Sequence, residues 1–368
     1  MIAESTSGGR LNRRKIGLVS TIVGVAAAGV AVGVAAERLL LGRSRRSTDS
    51  DPYKDEPFGA LGADETRTVT TTNGLDLHVE IDGDPDAPLT VVLVHGFCLD
   101  IGTFHFQRKL LRTIPGVRIV AYDQPGHGRS GRLTAGEYSI QQLGRDLRTV
   151  IDETAPTGPV VLVGHSMGGM VIMALAEQYP ELFGVGERVA GVALIATSAG
   201  ELSGVTFGLP KVLAKVRTPL LPVITNAGRL TAGVWDRARQ AHTDLAWMLT
   251  KRYGFGSTKT SPALVSYVEH MNAATPTDVV ARYVRTIDAH NRFPALTSFE
   301  DSPTLVVVGD EDLLTPVEHA EAICRVLPLA ELVIVPNAGH VVMLEHHEAV
   351  DAVLGPFVRN LVPGGTRT

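Results

Sequence analysis

The chain has 368 residues, 44% of them hydrophobic and 20% charged, with two cysteines and a formal charge of −5. That balance describes a large folded domain with additions and excludes general disorder, while two isolated cysteines exclude a disulfide framework and a structural zinc site. The charge is unevenly spread: residues 1–46 hold eight basic residues against Glu4 and Glu37, so the remainder is strongly acidic, which argues against nucleic acid as a partner.

The first predicted element is Ile16–Ala36, 21 residues without a charge. As a helix at about 1.5 Å per residue it reaches roughly 30 Å, the thickness of one bilayer core. Gly29 and Gly33 would permit close helix packing. Residues 1–41 are therefore expected to be a single-span membrane anchor. The alternative is export after signal cleavage, since Arg13-Arg14-Lys15-Ile16 is similar to a twin-arginine signal, with Gly17 departing from that pattern. Arg10, Arg13, Arg14 and Lys15 on one side balance Arg38, Arg43, Arg45 and Arg46 on the other, which leaves the orientation open. Residues 42–64, polar and broken by Pro52, Pro57, Gly59 and Gly62, read as a flexible linker.

The body, residues 65–362, opens with two β-rich runs around Asn73-Gly74, a hairpin signal. LTVVLVHG, VRIVAYD, PVVLVGH, VAGVALIAT, PTLVVVGD and AELVIVP follow as short apolar runs, mostly separated by helical stretches such as SIQQLGRDLRTVIDET. Alternating β and α elements predict an α/β fold, a mostly parallel sheet with helices on both faces. Between Thr197 and Pro303 the alternation stops. Helical patterns fill that interval, and its length is too great for a loop, so a helical cap is expected over about residues 199–300.

Chemistry is signalled at VVLVGHSMGGM, where Ser166 follows a buried strand and precedes a helix. A G-x-S-x-G turn there exposes the serine hydroxyl on a tight elbow, with Gly164 and Gly168 present because side chains would collide with neighbouring backbone. A serine hydroxyl is a weak nucleophile and needs a base, itself oriented by an acid. Asp310, Glu311 and Asp312 end one later strand and His340 follows the last one. Strand ends on one side of a parallel sheet meet in space. Three adjacent acids with no His or Cys beside them do not make a metal site, and no cofactor motif is present.

At these residues the chain resembles the α/β-hydrolase superfamily, serine-type and esterase/lipase-like, over about residues 65–362. The likeness is carried by HGF after Leu89–Val94, DQPGHGRS at Asp123–Ser130, GHSMGG, GDEDLLTP and NAGH. It implies Asp312 rather than Asp310 as the acid, from the spacing of Gly309, Asp312 and Pro316. It also implies an oxyanion hole from the backbone N–H groups of Phe97 and Met167. Cys98 is then a wall residue. His95 and His127 hold loops, His165 is the variable position of the elbow, and His346 and His347 begin an exposed final helix. His105 stands where it would touch the pocket.

Serine at the elbow separates the chain from haloalkane dehalogenases and epoxide hydrolases, which are similar elsewhere but carry aspartate there. An acyl-enzyme on Ser166 formed from a carboxylic ester, of apolar or lipid-like acids, is the expected reaction. Perhydrolase or haloperoxidase-like chemistry, carbon–carbon bond hydrolysis and acyl transfer would use the same triad. A ligand receptor on a hydrolase fold is the alternative from another class. The cap residues Phe207, Trp235, Trp247, Met248, Tyr253, Phe255 and Tyr267 read first as cap core, and as lining for apolar groups where they reach the mouth.

Overall fold

The apolar runs of the body form strands β3 (Leu89–Val94), β4 (Val117–Tyr122), β5 (Val160–His165), β6 (Val189–Ile195) and β7 (Thr304–Gly309), and almost every residue in them is buried. Strands covered by helices on both faces have no solvent side, so alternation disappears from their sequence. The last strand, β8 (Glu331–Val335), lies at the sheet edge and exposes part of its length. β1 (Glu65–Thr70) and β2 (Asp76–Asp82) form the antiparallel lead-in, and the eight strands run in the order β1-β2-β4-β3-β5-β6-β7-β8. β2 pairs antiparallel with β4, and all later pairings are parallel.

The computed structural model describes residues 51–202 and 244–364. The described residues from Asp55 onward belong to one compact unit. The expected anchor, residues 42–50 of the expected linker, and Phe207 and Trp235 of the cap lie outside the described residues. Among the described residues no helix is long and apolar enough to cross a membrane.

The predicted hairpin is present with a longer loop than Asn-Gly alone implies. Register pairs Thr70 with Asp76, and the loop between them is closed by the Thr71 N–H donating to the Leu75 carbonyl and the Leu75 N–H donating to the Thr71 hydroxyl. The threonine hydroxyl replaces a backbone partner, a local competition that the dipeptide signal does not register.

Helices α1 (His105–Leu111), α2 (Ile140–Thr154), α3 (Met167–Gln178), α7 (Val317–Val326), α8 (Val342–Glu345) and α9 (His347–Leu361) belong to the body. α2 begins where Ser139 accepts the Gln142 N–H, and buries Leu143, Leu147, Val150 and Ile151 at helical spacing. Of the expected cap, α4 (Asp244–Gly254), α5 (Pro262–Ala274) and α6 (Thr277–Asp288) are described.

Residues 55–64 are held on the body. The Glu56 carboxylate accepts from His105 Nε2 at 2.6 Å and from Lys109 Nζ at 2.8 Å, and the Phe58 ring stacks on Tyr267 of α5 at 4.5 Å. Asp64 accepts the Gly83 N–H at 2.8 Å. Polar composition resembles a tether locally; the partners that make it a strap are distant in sequence.

Candidate active site

Ser166 joins β5 to α3 with φ 52° and ψ −117°, a left-handed backbone that costs a serine about 1–3 kcal/mol. The neighbouring glycines make this turn possible. A Cβ on Gly168 would lie 1.9 Å from the Val94 carbonyl oxygen, and one on Gly164 would lie 2.6 Å from the Gly169 nitrogen. Both collisions are with backbone, which cannot swing away. The elbow is thereby pressed against the end of β3, the strand that leads into the loop of Phe97.

His340 Nε2 lies 2.9 Å from Ser166 Oγ, and its Nδ1 lies 2.8 Å from Asp312 Oδ2. An ionised carboxylate only accepts, so Nδ1 carries the proton and Nε2 presents its lone pair to the serine hydroxyl. Asp312 is 3% exposed and held in place by the Leu314 and Thr315 N–H groups at 2.8 and 2.9 Å, both on Oδ1, and by the Thr315 hydroxyl at 2.9 Å on Oδ2. Asp310 is exposed and accepts the Ala338 N–H at 3.4 Å. Of the two acids, only Asp312 meets His340.

Neither the Phe97 nor the Met167 N–H donates to a protein acceptor among the described residues. Two neutral histidines brace the loop that carries Phe97. His95 Nε2 accepts the Gln124 N–H at 2.8 Å while Nδ1 donates to the Gly96 carbonyl at 2.8 Å. His127 Nε2 accepts the Cys98 N–H at 3.1 Å while Nδ1 donates to the Pro125 carbonyl at 3.0 Å. Burial pushes His95 down to about 4 and, with the charge of His95 as a second cause, His127 down to about 3. Each ring is therefore a fixed donor–acceptor bridge and not a proton carrier at neutral pH. Cys98 has φ 59°, so this loop is strained at the residue after the free N–H.

Ser166 and His340 open into a cavity of about 430 Å³ whose walls include Phe97, Leu99, Leu249, Tyr253, Val268 and Leu314. Cys98 is part of that wall. Of the cap aromatics, Tyr253 lines the cavity, whereas Trp247 and Phe255 are buried at 7% and 5% exposure. His105 faces a different cavity together with Tyr267. His346 and His347, expected to be exposed, are half-buried: His346 Nε2 donates to the Asn337 carbonyl at 3.1 Å, and His347 stacks on Phe106 at 3.8 Å.

Two features had no usable signal in the sequence. Thr315 orients the acid from three residues away, and Glu345 accepts the N–H groups of Gly256, Ser257 and Gly339 at 2.9, 2.9 and 2.7 Å. That single carboxylate ties the cap to the loop of His340.

Several known proteins are similar to this chain. The chain is 29% identical over 282 residues to a dihydrolipoyllysine-residue acetyltransferase component of the acetoin cleaving system from Pseudomonas putida, covering 76% of this chain and 65% of that one. It is 26% identical to an sn-1-specific diacylglycerol lipase from Mus musculus, covering 71% of this chain and 77% of the relative. A solved thermophilic esterase from Thermogutta terrifontis superposes with a TM-score of 0.62 at 25% identity, over 81% of this chain and 99% of that one. The family described as alpha/beta hydrolase fold matches residues 90–347, and the chain belongs to it.

Proposed function

We propose that the protein hydrolyses carboxylic esters of apolar, lipid-like acids through an acyl-enzyme on Ser166. The observation that carries this reading is the Ser166–His340–Asp312 chain, with contacts of 2.9 and 2.8 Å, opening into an apolar cavity. Ser166 Oγ attacks the ester carbonyl as its proton passes to His340 Nε2. Asp312 stabilises the resulting imidazolium, and the free N–H groups of Phe97 and Met167 receive the oxyanion. His340 then protonates the leaving alcohol. Water, deprotonated by His340, attacks the acyl carbonyl and releases the acid and Ser166.

The volume suits a small or medium acyl group. The apolar walls favour aliphatic chains over charged ones. The same triad would serve perhydrolysis, carbon–carbon bond hydrolysis, acyl transfer or a receptor; the apolar cavity that Ser166 lines favours ester hydrolysis. A membrane anchor at Ile16–Ala36 is part of the proposal, supported by its length and lack of charge.

The test combines fluorophosphonate labelling with a series of p-nitrophenyl esters of increasing chain length. Labelling at Ser166, lost in Ser166→Ala, with turnover that peaks at an intermediate chain length, supports the reading. Saturable ester binding without label or turnover would establish a receptor in its place. Resistance of the full chain to alkaline carbonate extraction tests the anchor, and quantitative release removes it.

A further inference from the structure

His165 precedes the nucleophile, is fully buried at 0% exposure, and is not among the residues lining the reaction cavity. Its Nε2 lies 3.0 Å from the backbone carbonyl oxygen of His340. A carbonyl only accepts, so Nε2 bears the proton and Nδ1 is a bare lone pair. That Nδ1 is buried without a hydrogen-bond partner, an arrangement that is unfavourable because the lone pair has lost its water and gained nothing in return. An apolar side chain would avoid the cost, so packing does not account for a histidine here. Burial first, and the charge of His340 second, hold the ring well below the ordinary histidine range, which keeps it neutral, and the bond to the carbonyl selects the tautomer.

The surroundings fix the ring rigidly. A Cβ on Gly96 would stand 2.7 Å from His165 Nδ1 and 3.2 Å from the Ser166 Cβ, so the loop of Phe97 closes on both residues at once. The His340 loop is held at successive residues: the Gly339 N–H donates to Glu345 at 2.7 Å, the His340 carbonyl accepts from His165, and the Val341 N–H donates to the Gly254 carbonyl at 2.9 Å. Glu345 and Gly254 belong to helices. Of these three bonds, only that from His165 ties the loop to the strand that carries Ser166.

We infer that His165 is a positioning residue: its Nε2–H, bonded to the His340 carbonyl, locks the backbone of the base to the strand of the nucleophile and sets the separation of Ser166 Oγ from His340 Nε2. The assignment rests on the proposed ester hydrolysis. Two adjacent residues, His165 and Ser166, then determine both ends of the proton transfer. Misplacement by about 1 Å in such a step costs on the order of a hundredfold, so a bond that never touches substrate controls turnover.

The experiment compares full-length wild-type protein with His165→Gln and His165→Met, using p-nitrophenyl butyrate turnover and the rate of fluorophosphonate labelling at Ser166. Gln and Met have similar length and volume, but only Gln can donate to the His340 carbonyl. His165→Met is expected to lower kcat and the labelling rate about tenfold or more, with KM changed less than about twofold, and His165→Gln to recover most of the loss. Equal kcat in wild type and His165→Met overturns the assignment. Equal impairment of both variants, or a loss confined to KM, overturns it as well. Thermal melts accompany the kinetics, and His165→Leu replaces the Met variant if that variant does not melt cooperatively. If neither apolar variant folds, the residue is a fold determinant and the assignment fails. Wild-type protein that neither turns over ester nor labels overturns the hydrolase reading together with the assignment, whereas wild-type activity with an indifferent His165→Met overturns the assignment alone.

Discussion

Helix α5 separates two cavities of opposite character. Val268, Glu269, Asn272 and Ala273 line the cavity of about 430 Å³ into which Ser166 opens, while Tyr267, His270, Met271 and Ala274 line one of about 670 Å³ on the other face. The larger cavity is walled by Glu80, Asp100, Arg108, Asp123 and Arg129. Most of that charge is committed. Glu80 pairs with Arg108 at 2.6 Å and with Arg129, and Asp123 accepts the Ile101 and Arg129 N–H groups at 3.0 and 2.8 Å. Among the described residues its lining contains no serine or cysteine. Size and charge therefore do not mark the proposed reacting site; a serine hydroxyl bonded to a histidine in an apolar wall does, because a developing oxyanion is stabilised best where fixed dipoles face little water.

The largest effect that sharpens this contrast is Ser166→Ala, expected to lower kcat on the order of 10⁴- to 10⁶-fold and abolish fluorophosphonate labelling. Residual labelling elsewhere would point to a second nucleophile. Asp312→Asn should follow at roughly 10⁴-fold, through loss of the correct His340 tautomer. Asp310→Asn, which removes a carboxylate that does not meet His340, should leave kcat within about threefold; equal losses would cancel the assignment of the acid.

A bulky residue on either face of α5 tests the partition directly. Ala273→Trp should lower kcat/KM for long-chain esters roughly tenfold or more while sparing acetate esters. Ala274→Trp, on the other face, should leave the chain-length profile unchanged. A shift with Ala274→Trp instead would assign the substrate to the larger cavity.

The smallest expected effect concerns the stability of the charged side. Burial, and then the nearby charge of Asp123, raises Asp100 to about 6 from the usual 3.8. Folding therefore favours the protonated acid. The resulting stability is fully present below pH 3.8 and is lost as pH rises through about 6, and amounts to about 3 kcal/mol. Asp146, raised by burial to about 6, titrates in the same window. Asp100→Asn keeps an acceptor for the Gly102 N–H, which Asp100 Oδ1 accepts at 2.8 Å, so denaturation midpoints followed from pH 4 to pH 8 should fall less steeply than in wild type. An unchanged slope would mean that Asp100 is ionised throughout.

The legibility of these features follows the range of the forces behind them. Continuous apolar runs marked β3 to β7 because burial on both faces acts on every residue of a strand. Gly164, Ser166 and Gly168 were readable because a tight elbow has few sequence solutions. The spacing from Gly309 to Asp312 singled out one of three adjacent acids by resemblance, and burial and the bonds from Thr315 show the physical difference between Asp312 and Asp310. The strap was read as a linker because Glu56 and Phe58 have no local partner; His105, Lys109 and Tyr267 come to them only through folding.

By itself the sequence determined the fold class, the element order of the body and the short list of groups able to do nucleophilic chemistry. Those properties depend on hydrophobic period, turn sterics and residue type, which are local. Tertiary structure decided that α5 faces two cavities, that Glu345 joins the cap to the loop of His340, and that the imidazole of His165 reaches the His340 carbonyl. These depend on contacts between residues far apart in the chain, whose geometry is set only when the sheet brings the ends of its strands together.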